Sequence, residues 1–437
     1  MSRDASRPPN VPEVFAGNIT ANVACPFCGL GCDDLAFADK RGILSGIRNG
    51  CAKSIEMFSA SRREGDAEPK IRGKRVSLKL AVERASCLLR EARLPVIGGL
   101  ATDVAGVRAA LRLADRLGGV IDHLNSEKAL RNIRVLQDKG WMSTTLSEVR
   151  NRADLVIIVG GDIQRNFPRF IERCLAPNET LFSSALSRQL VMLGGISPMT
   201  DSIPVTRFDC DLSHLAELAG VLRCLIEGET LQAMEIAGIK IDALRMLAAR
   251  MQQARYGVFV WSAADLDFPH AELAIEAVCD LVKTLNATTR FAVLPLGGAN
   301  GDITVTQVTT WQTGFPLRVS FSKGVPEYDP YHFSATRLLA NGEADALLWI
   351  SAFDARHRPP HSEIPTIVLG RAGMTFEHPP EIYIPVGVPG LDHLGHVYRT
   401  DNVVALRLRK LTERGLHSAA EILADIERAH DATPGEC

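Results

Sequence analysis

Pro95-Val96-Ile97-Gly98-Gly99-Leu100, followed by Thr102 and Asp103, is the stretch whose reading decides the fold. A short apolar run that opens through a glycine pair into a capping residue is the sequence form of a buried strand feeding a helix. Thr102 or Asp103 can start that helix, and its Val107, Leu111, Ala114 and Leu117 fall on one face. Upstream, Ser77 can cap a helix with Ala81, Ala85, Leu88, Leu89 and Ala92 on one side, ended by Pro95. The strand–helix unit recurs at Gly119 to Asp122, at Leu155 to Val159 followed by Gly160-Gly161-Asp162, and at Glu179-Thr180-Leu181-Phe182. A second series runs from Tyr256 to Trp261, through an amphipathic helix from His270 to Leu285, to Arg290 through Leu296. It continues with a helix from Ser334 to Asn341 and with strands at Asp345 to Ser351, Thr366 to Leu369 and Glu381 to Pro385. These strands are continuous apolar runs rather than alternations, as parallel sheets covered on both faces require. The expected fold class is α/β, with two Rossmann-like doubly wound lobes. One lobe is expected over about residues 90–255 and the other over about 256–385 with a C-terminal return, within an α/β region from 65 to 437.

Ahead of this region lies a different texture. Residues 1–18 are rich in Pro, Arg and polar groups and read as a flexible arm. Residues 19–64 contain Cys25-Pro26-Phe27-Cys28-Gly29-Leu30-Gly31-Cys32-Asp33-Asp34 and a solitary Cys51. Three thiols close together and a fourth at a distance suit a cubane iron–sulfur cluster, wrapped on one side and closed from the other. A zinc site commonly draws two ligand pairs from separate loops, so zinc is a second occupant and reduced, unmetallated thiols a third. Apolar residues around Leu35 to Ala38 alternate like a short strand, with Gly42 in a turn before Ile43 and Leu44. A unit this small needs a staple, either a metal or tight docking on a neighbour.

The rest of the composition excludes more than it assigns. The 437 residues carry a net charge of -2, with basic groups scattered apart from Arg62-Arg63 and Arg407-Leu408-Arg409-Lys410, which argues against a nucleic-acid partner. No apolar run reaches the roughly 18 residues that cross a bilayer. The N-terminus lacks the apolar segment of a signal peptide, so a cytoplasmic location without membrane association is expected. Cys87, Cys174, Cys224 and Cys279 lie in helical patterns and read as small core residues. The glycine pairs Gly98-Gly99, Gly160-Gly161 and Gly297-Gly298 complete neither GxGxxG nor a P-loop and read as strand-to-helix turns. His357 and His361 are separated by Pro359-Pro360, which rules out a regular helical ligand pair.

The cysteine stretch with Cys51 resembles the cluster domain of the formylmethanofuran dehydrogenase B-subunit family, relatives of molybdopterin- and tungstopterin-dependent formate dehydrogenases. The resemblance extends through Leu146-Ser147-Glu148-Val149-Arg150-Asn151-Arg152-Ala153-Asp154, Phe167-Pro168-Arg169, Val308 through Pro316, and His396-Val397-Tyr398-Arg399-Thr400-Asp401. It implies a formate dehydrogenase-like fold, with Cys25, Cys28, Cys32 and Cys51 as ligands of a [4Fe-4S] cluster. The family also places a metal-ligating Cys upstream of a Leu-Gln-Asp stretch. Here Leu136-Gln137-Asp138 is kept, but Lys128 stands where the thiolate belongs. A second stretch that carries Arg and His in the family reads Pro295-Leu296-Gly297-Gly298-Ala299-Asn300, so the pocket at Lys128, Gly297 and Gly298 reads as degenerate and no catalytic residue is assigned.

Within the family the chain most resembles the B subunit of the bacterial formyltransferase/hydrolase complex. That complex moves a formyl group from tetrahydromethanopterin to a methanofuran-type carrier and hydrolyses it to formate. The implied role is a non-redox structural subunit that docks the hydrolase subunit, without a W/Mo pterin. The implied partners are the hydrolase A, C and formyltransferase D subunits. Two rival readings are an active W/Mo formylmethanofuran dehydrogenase subunit and an electron-transfer Fe-S subunit.

Overall fold

In the computed structural model, residues 18–40, 43–60, 65, 67–177, 179–181, 187–196, 198 and 203–432 are described. Residues 1–17 of the expected arm over 1–18, the pair Arg62-Arg63 and the tail to Cys437 lie outside the described residues, while Asn18 begins a strand. The helices start where their caps direct. The Ser77 hydroxyl accepts from the Leu80 N–H ahead of Leu78–Glu91, and the Asp103 carboxylate accepts from the Gly106 N–H ahead of Val104–Leu117.

Two large sheets carry the chain. The first has five parallel strands in the order Val205–Phe208, Gln189–Leu193, Leu155–Val159, Gly257–Ser262, Phe291–Leu296. The second has nine, with a parallel centre of Val120–Ile121, Pro95–Ala101, Ala346–Ser351, Thr366–Arg371 and Ile382–Val386. Its margins are antiparallel: Val319–Ser320 and Glu327–Tyr328 on one side, Lys70–Ile71 and Lys74–Arg75 on the other.

This pairing corrects the expected division near residue 255. Gly257–Ser262 sits between Leu155–Val159 and Phe291–Leu296, whereas Pro95–Ala101 pairs with Ala346–Ser351. One sheet is therefore a contiguous run of chain inserted into the other, which is assembled from the flanking pieces. Apolar periodicity marks a strand but not its neighbour, because pairing is a non-local choice. A second correction concerns Glu179–Leu181, which form no strand; the sheet takes Gln189–Leu193 instead, and Phe182 lies outside the described residues.

The cysteine segment forms a three-stranded antiparallel sheet from Asn18–Val23, Leu35–Lys40 and Ile43–Arg48, then the helix Ala52–Ala60. It shares a core with the five-stranded sheet: Phe27, Leu35, Phe37 and Phe58 pack in one cluster with Phe170, Val258 and Leu294. Phe58 is edge-on to both Phe27 and Phe37, with ring centroids 4.9 and 4.7 Å away. Burying a ring such as Phe58 contributes about 2 kcal/mol, so docking supplies the stabilisation that so small a unit lacks. An ionic clamp adds direction. Arg169 donates two parallel hydrogen bonds to the Asp34 carboxylate at 2.7 and 2.8 Å, and Arg173 reaches both Asp33 and Asp34.

Arg169→Met removes the buried end of this clamp and should cost about 2 kcal/mol of stability, since a carboxylate loses its bidentate partner. Arg169→Lys should recover little, because an ammonium cannot reproduce the fork. Urea unfolding checks both; a midpoint equal to wild type in the Met variant would refute the clamp.

Candidate functional site

Loops that leave several parallel strands of the two sheets line one cavity of about 1070 Å³. Its walls come from the turn before Lys128, the segment Gln164–Pro168 after Leu155–Val159, and Ser262–Asp265 after Gly257–Ser262. Gly297 and Asn300 follow Phe291–Leu296, and Asp354–His357 follow Ala346–Ser351. Ligand crevices in open α/β sheets lie outside the carboxyl ends of the strands, and this one obeys that rule. The cysteine segment closes one side with Phe27, Lys53, Glu56 and Met57.

Behind that wall, Cys25, Cys28, Cys32 and Cys51 line a second, small cavity together with Leu30, Leu35, Ser54 and Arg169. The Cys25 N–H donates to the Cys32 carbonyl at 2.8 Å, folding the three-thiol loop on itself. Cys51 precedes the helix Ala52–Ala60, and the Ser54 N–H points at its sulfur from 3.4 Å. Burial, with the charge of Cys28 added, pushes the Cys25 thiol well up. Cys32 is pushed up to about 12 by burial and by Cys28, against the opposing Arg173 and Arg169. Four soft donors around one cavity, with guanidinium charge beside them, fit an iron–sulfur cluster. Among the described residues no three His, Cys, Asp or Glu side chains are set as they stand to hold a metal ion; the four thiols border one cavity without a ready ligand geometry.

The cysteine loop meets the wall of the large cavity at a glycine contact. A Cβ on Gly29 would lie 2.0 Å from the Gly297 carbonyl oxygen, and one on Gly298 would lie 2.4 Å from the Gly29 Cα. Gly29 and Gly298 both have positive φ, at 72° and 100°. Thr400 ties the same place together: its N–H donates to the Gly29 carbonyl and its hydroxyl accepts from the Gly297 N–H, both at 2.8 Å. Gly297-Gly298 is thus a docking platform for the cysteine loop.

The structure brings Lys128 and Gly297 into one cavity, with Gly298 adjoining and turned toward the cysteine loop. It also revises the expectation that cation and imidazole are gone from this pocket. Arg356 and His357 arrive from a different strand end, and Lys53 from the cysteine segment. His357 accepts a 3.0 Å hydrogen bond from the Asn300 amide when its Nε2 is unprotonated, while His361 lies apart, edge-on to His378. The sequence signal for Arg356 and His357 was their place just after an apolar strand, not their spacing.

Deeper in the wall, the buried His123 accepts from the Asn125 N–H at Nδ1, 3.0 Å away, and its Nε2 meets the Asn300 carbonyl at 3.1 Å. That pairing fixes the neutral ring with its proton on Nε2. Burial holds its pKa down at about 4, against the opposing hydrogen bond to Asn300. Asp302 accepts from the Gly298 and Ile303 N–H groups at 2.6 Å each, yet burial pushes its carboxyl up to about 6.

His123 is protonated in the unfolded chain below about 6.5 but in the folded chain only near 4. Its contribution to stability is therefore complete above 6.5 and lost as pH falls toward 4. His123→Gln should show a smaller loss of urea midpoint between pH 7.5 and 5 than wild type; an equal loss would place the acid sensitivity elsewhere.

No family model matches the chain. It is 32% identical over 327 residues to the B subunit of the formyltransferase/hydrolase complex Fhc of Methylorubrum extorquens, covering 73% of this chain and 85% of the relative. It is 29% identical over 413 residues to the B subunit of tungsten-containing formylmethanofuran dehydrogenase 2 of Methanocaldococcus jannaschii, covering 90% and 94%. Among solved structures it superposes on a chain of the formyltransferase/hydrolase complex FhcABCD of Methylorubrum extorquens with methylofuran. The TM-score is 0.71 at 30% identity, over 83% of this chain and 99% of that one.

Proposed function

The chain belongs to the formylmethanofuran dehydrogenase B-subunit family, and from that premise we propose that it is a non-redox structural subunit of a formyltransferase/hydrolase complex. In this reading it docks the hydrolase A subunit, within an assembly that also contains C and the formyltransferase D subunit. The complex converts formylmethanofuran to formate in one-carbon metabolism linked to tetrahydromethanopterin. Likeness to a chain of a solved four-subunit complex supports the assembly.

One observation carries the non-redox reading: the side chain at position 128, which faces the cavity, is a lysine. An ammonium has no lone pair for a metal, and a soft thiolate is what tungsten or molybdenum would take from the protein. Gly297-Gly298 is committed to the cysteine loop, and a glycine has no side-chain ligand to offer a metal. The residues present therefore do not fit a W/Mo pterin centre.

Cys25, Cys28, Cys32 and Cys51 would hold a [4Fe-4S] cluster, whose bound form supplies one-electron storage. The chain's own contribution is mechanical: these thiols join the loop at 25–32 to the helix start at 51, and Gly29 docks that loop on the larger domain. The cluster domain then acts as a staple.

Elemental analysis of the purified complex tests the reading. The expected result is no stoichiometric tungsten or molybdenum on this chain; either metal in stoichiometric amount would establish the redox alternative. Lys128→Cys should not confer CO2 reduction. Cys28→Ser should lower thermal stability and the yield of assembled complex, with turnover per assembled complex unchanged. Deleting the chain should shrink the complex and lower hydrolase activity; unchanged size and activity would refute the docking role.

A further inference from the structure

Two distinctive sequence stretches, 308–316 and 396–401, meet on a surface that the chain leaves uncovered. The helix Asp302–Thr313 turns Thr304, Val305, Val308 and Thr309 inward, while Trp311 near its end keeps 51% of its surface in solvent. The indole stands edge-on to the Tyr398 ring at 6.2 Å, and the Tyr398 N–H donates to the Thr304 hydroxyl on the same helix. Tyr398 closes the strand Gly395–Tyr398, which pairs antiparallel with Ala405–Leu408 in a sheet of two strands. Alternation sends Val397 into the core and leaves His396 and Tyr398 on the outer face. Arg407 stands across from His396 and shares that face. Leu394, just ahead of the first strand, and Val403, in the turn between the two, are exposed by 57% and 58%. This apolar surface lies on a basic background. Across residues 303–318 and 393–412 the only acidic side chain is Asp401, which is buried and pairs with Arg399. Among the described residues Arg407 makes no ion pair.

We infer that this face, centred on Trp311 and Tyr398 and bordered by Arg407, is a docking surface for a segment of a partner subunit that carries carboxylates around an apolar side chain. The inference rests on the assembly reading above and adds to it which face of the chain is used and what chemistry it meets. Trp, Tyr and Arg are the residue types that dominate binding energy at protein interfaces, and the two rings offer large contact area for little lost conformational freedom. All three stand together here, the rings on a helix and a strand rather than on loops. A partner laid across them removes Trp311 from water, which is the favourable term. Charge then selects the partner. With no exposed carboxylate in either stretch, the counter-charge for Arg407 comes from outside the chain, and a basic segment is repelled. The cations are too few for a phosphate backbone, whose binding needs massed Lys and Arg.

Hydroxyl-radical footprinting of the full-length chain, alone and in the purified complex, tests this. Trp311 and Tyr398 are expected to oxidise several-fold more slowly in the complex. On dilution, a complex with Trp311→Ala or Arg407→Glu should release this chain at about tenfold higher concentration than wild type. Added chloride should promote release of the wild-type chain, and less so of the Arg407→Glu chain. An Arg407→Glu chain with the wild-type thermal midpoint separates lost docking from lost folding. Lys283→Glu, on the helix Ala271–Leu285, is the control and should leave release unchanged. A complex that assembles while Trp311 and Tyr398 oxidise as fast as in the isolated chain overturns this inference and leaves the assembly reading standing. A chain that purifies without any partner subunit overturns both. Protection of Trp311 by phosphatidylserine vesicles and not by the subunits would assign the face to a membrane and overturn the inference as well.

Discussion

Everything in this molecule that has chemical character hangs on a backbone-to-backbone contact between Gly29 and Gly297-Gly298. Neither side can carry a Cβ without driving it into main-chain atoms, and main chain cannot rotate away as a side chain can. The contact sets how the cysteine loop sits on the strand ends, and thereby shapes both the small thiol cavity and the large one beside it. Thr400 stitches the same seam through hydrogen bonds on either side. The stretch that contains it also carries Asp401, which accepts from the Leu146 N–H and pairs with Arg399. Segments far apart in sequence, around 29, 146, 169, 297 and 400, are one junction in space.

That junction explains why the small domain is ordered on its neighbour. Its own strands are short, and its aromatic residues face the five-stranded sheet rather than each other alone. The Asp34–Arg169 pair orients the docking while the phenylalanines supply most of the favourable free energy, since a half-exposed ion pair is worth less than buried rings. Arg371, fully buried, extends the tie by donating to the carbonyls of Met57 and Phe353, one on each side of the interface.

On the proposed reading Lys128 stands where a soft ligand would be, and the Gly297-Gly298 pair is given over to docking the cysteine loop. Arg356 and His357, from another strand end, bring charge and an imidazole back into the space. The result is a cavity suited to hydrogen bonding and charge rather than to ligation of a soft metal.

Local chemistry was legible from the residues alone. Ser77 and Asp103 announced their helices, continuous apolar runs announced buried strands, and the cysteine stretch singled out four thiols that line one small cavity, because caps, periodicity and ligand spacing are short-range properties. Resemblance in a few distinctive stretches gave the family and singled out Lys128. What the sequence could not contain was adjacency. The nine-stranded sheet joins residues 95–101 to 346–351 across an inserted sheet, and no local pattern encodes that choice. The same holds for His357 beside Asn300, for the two lysines that share one cavity, and for Gly29 on Gly298. Each depends on chain segments brought together only when the sheets pack, so the residue types were fixed by sequence and their partnerships by tertiary structure.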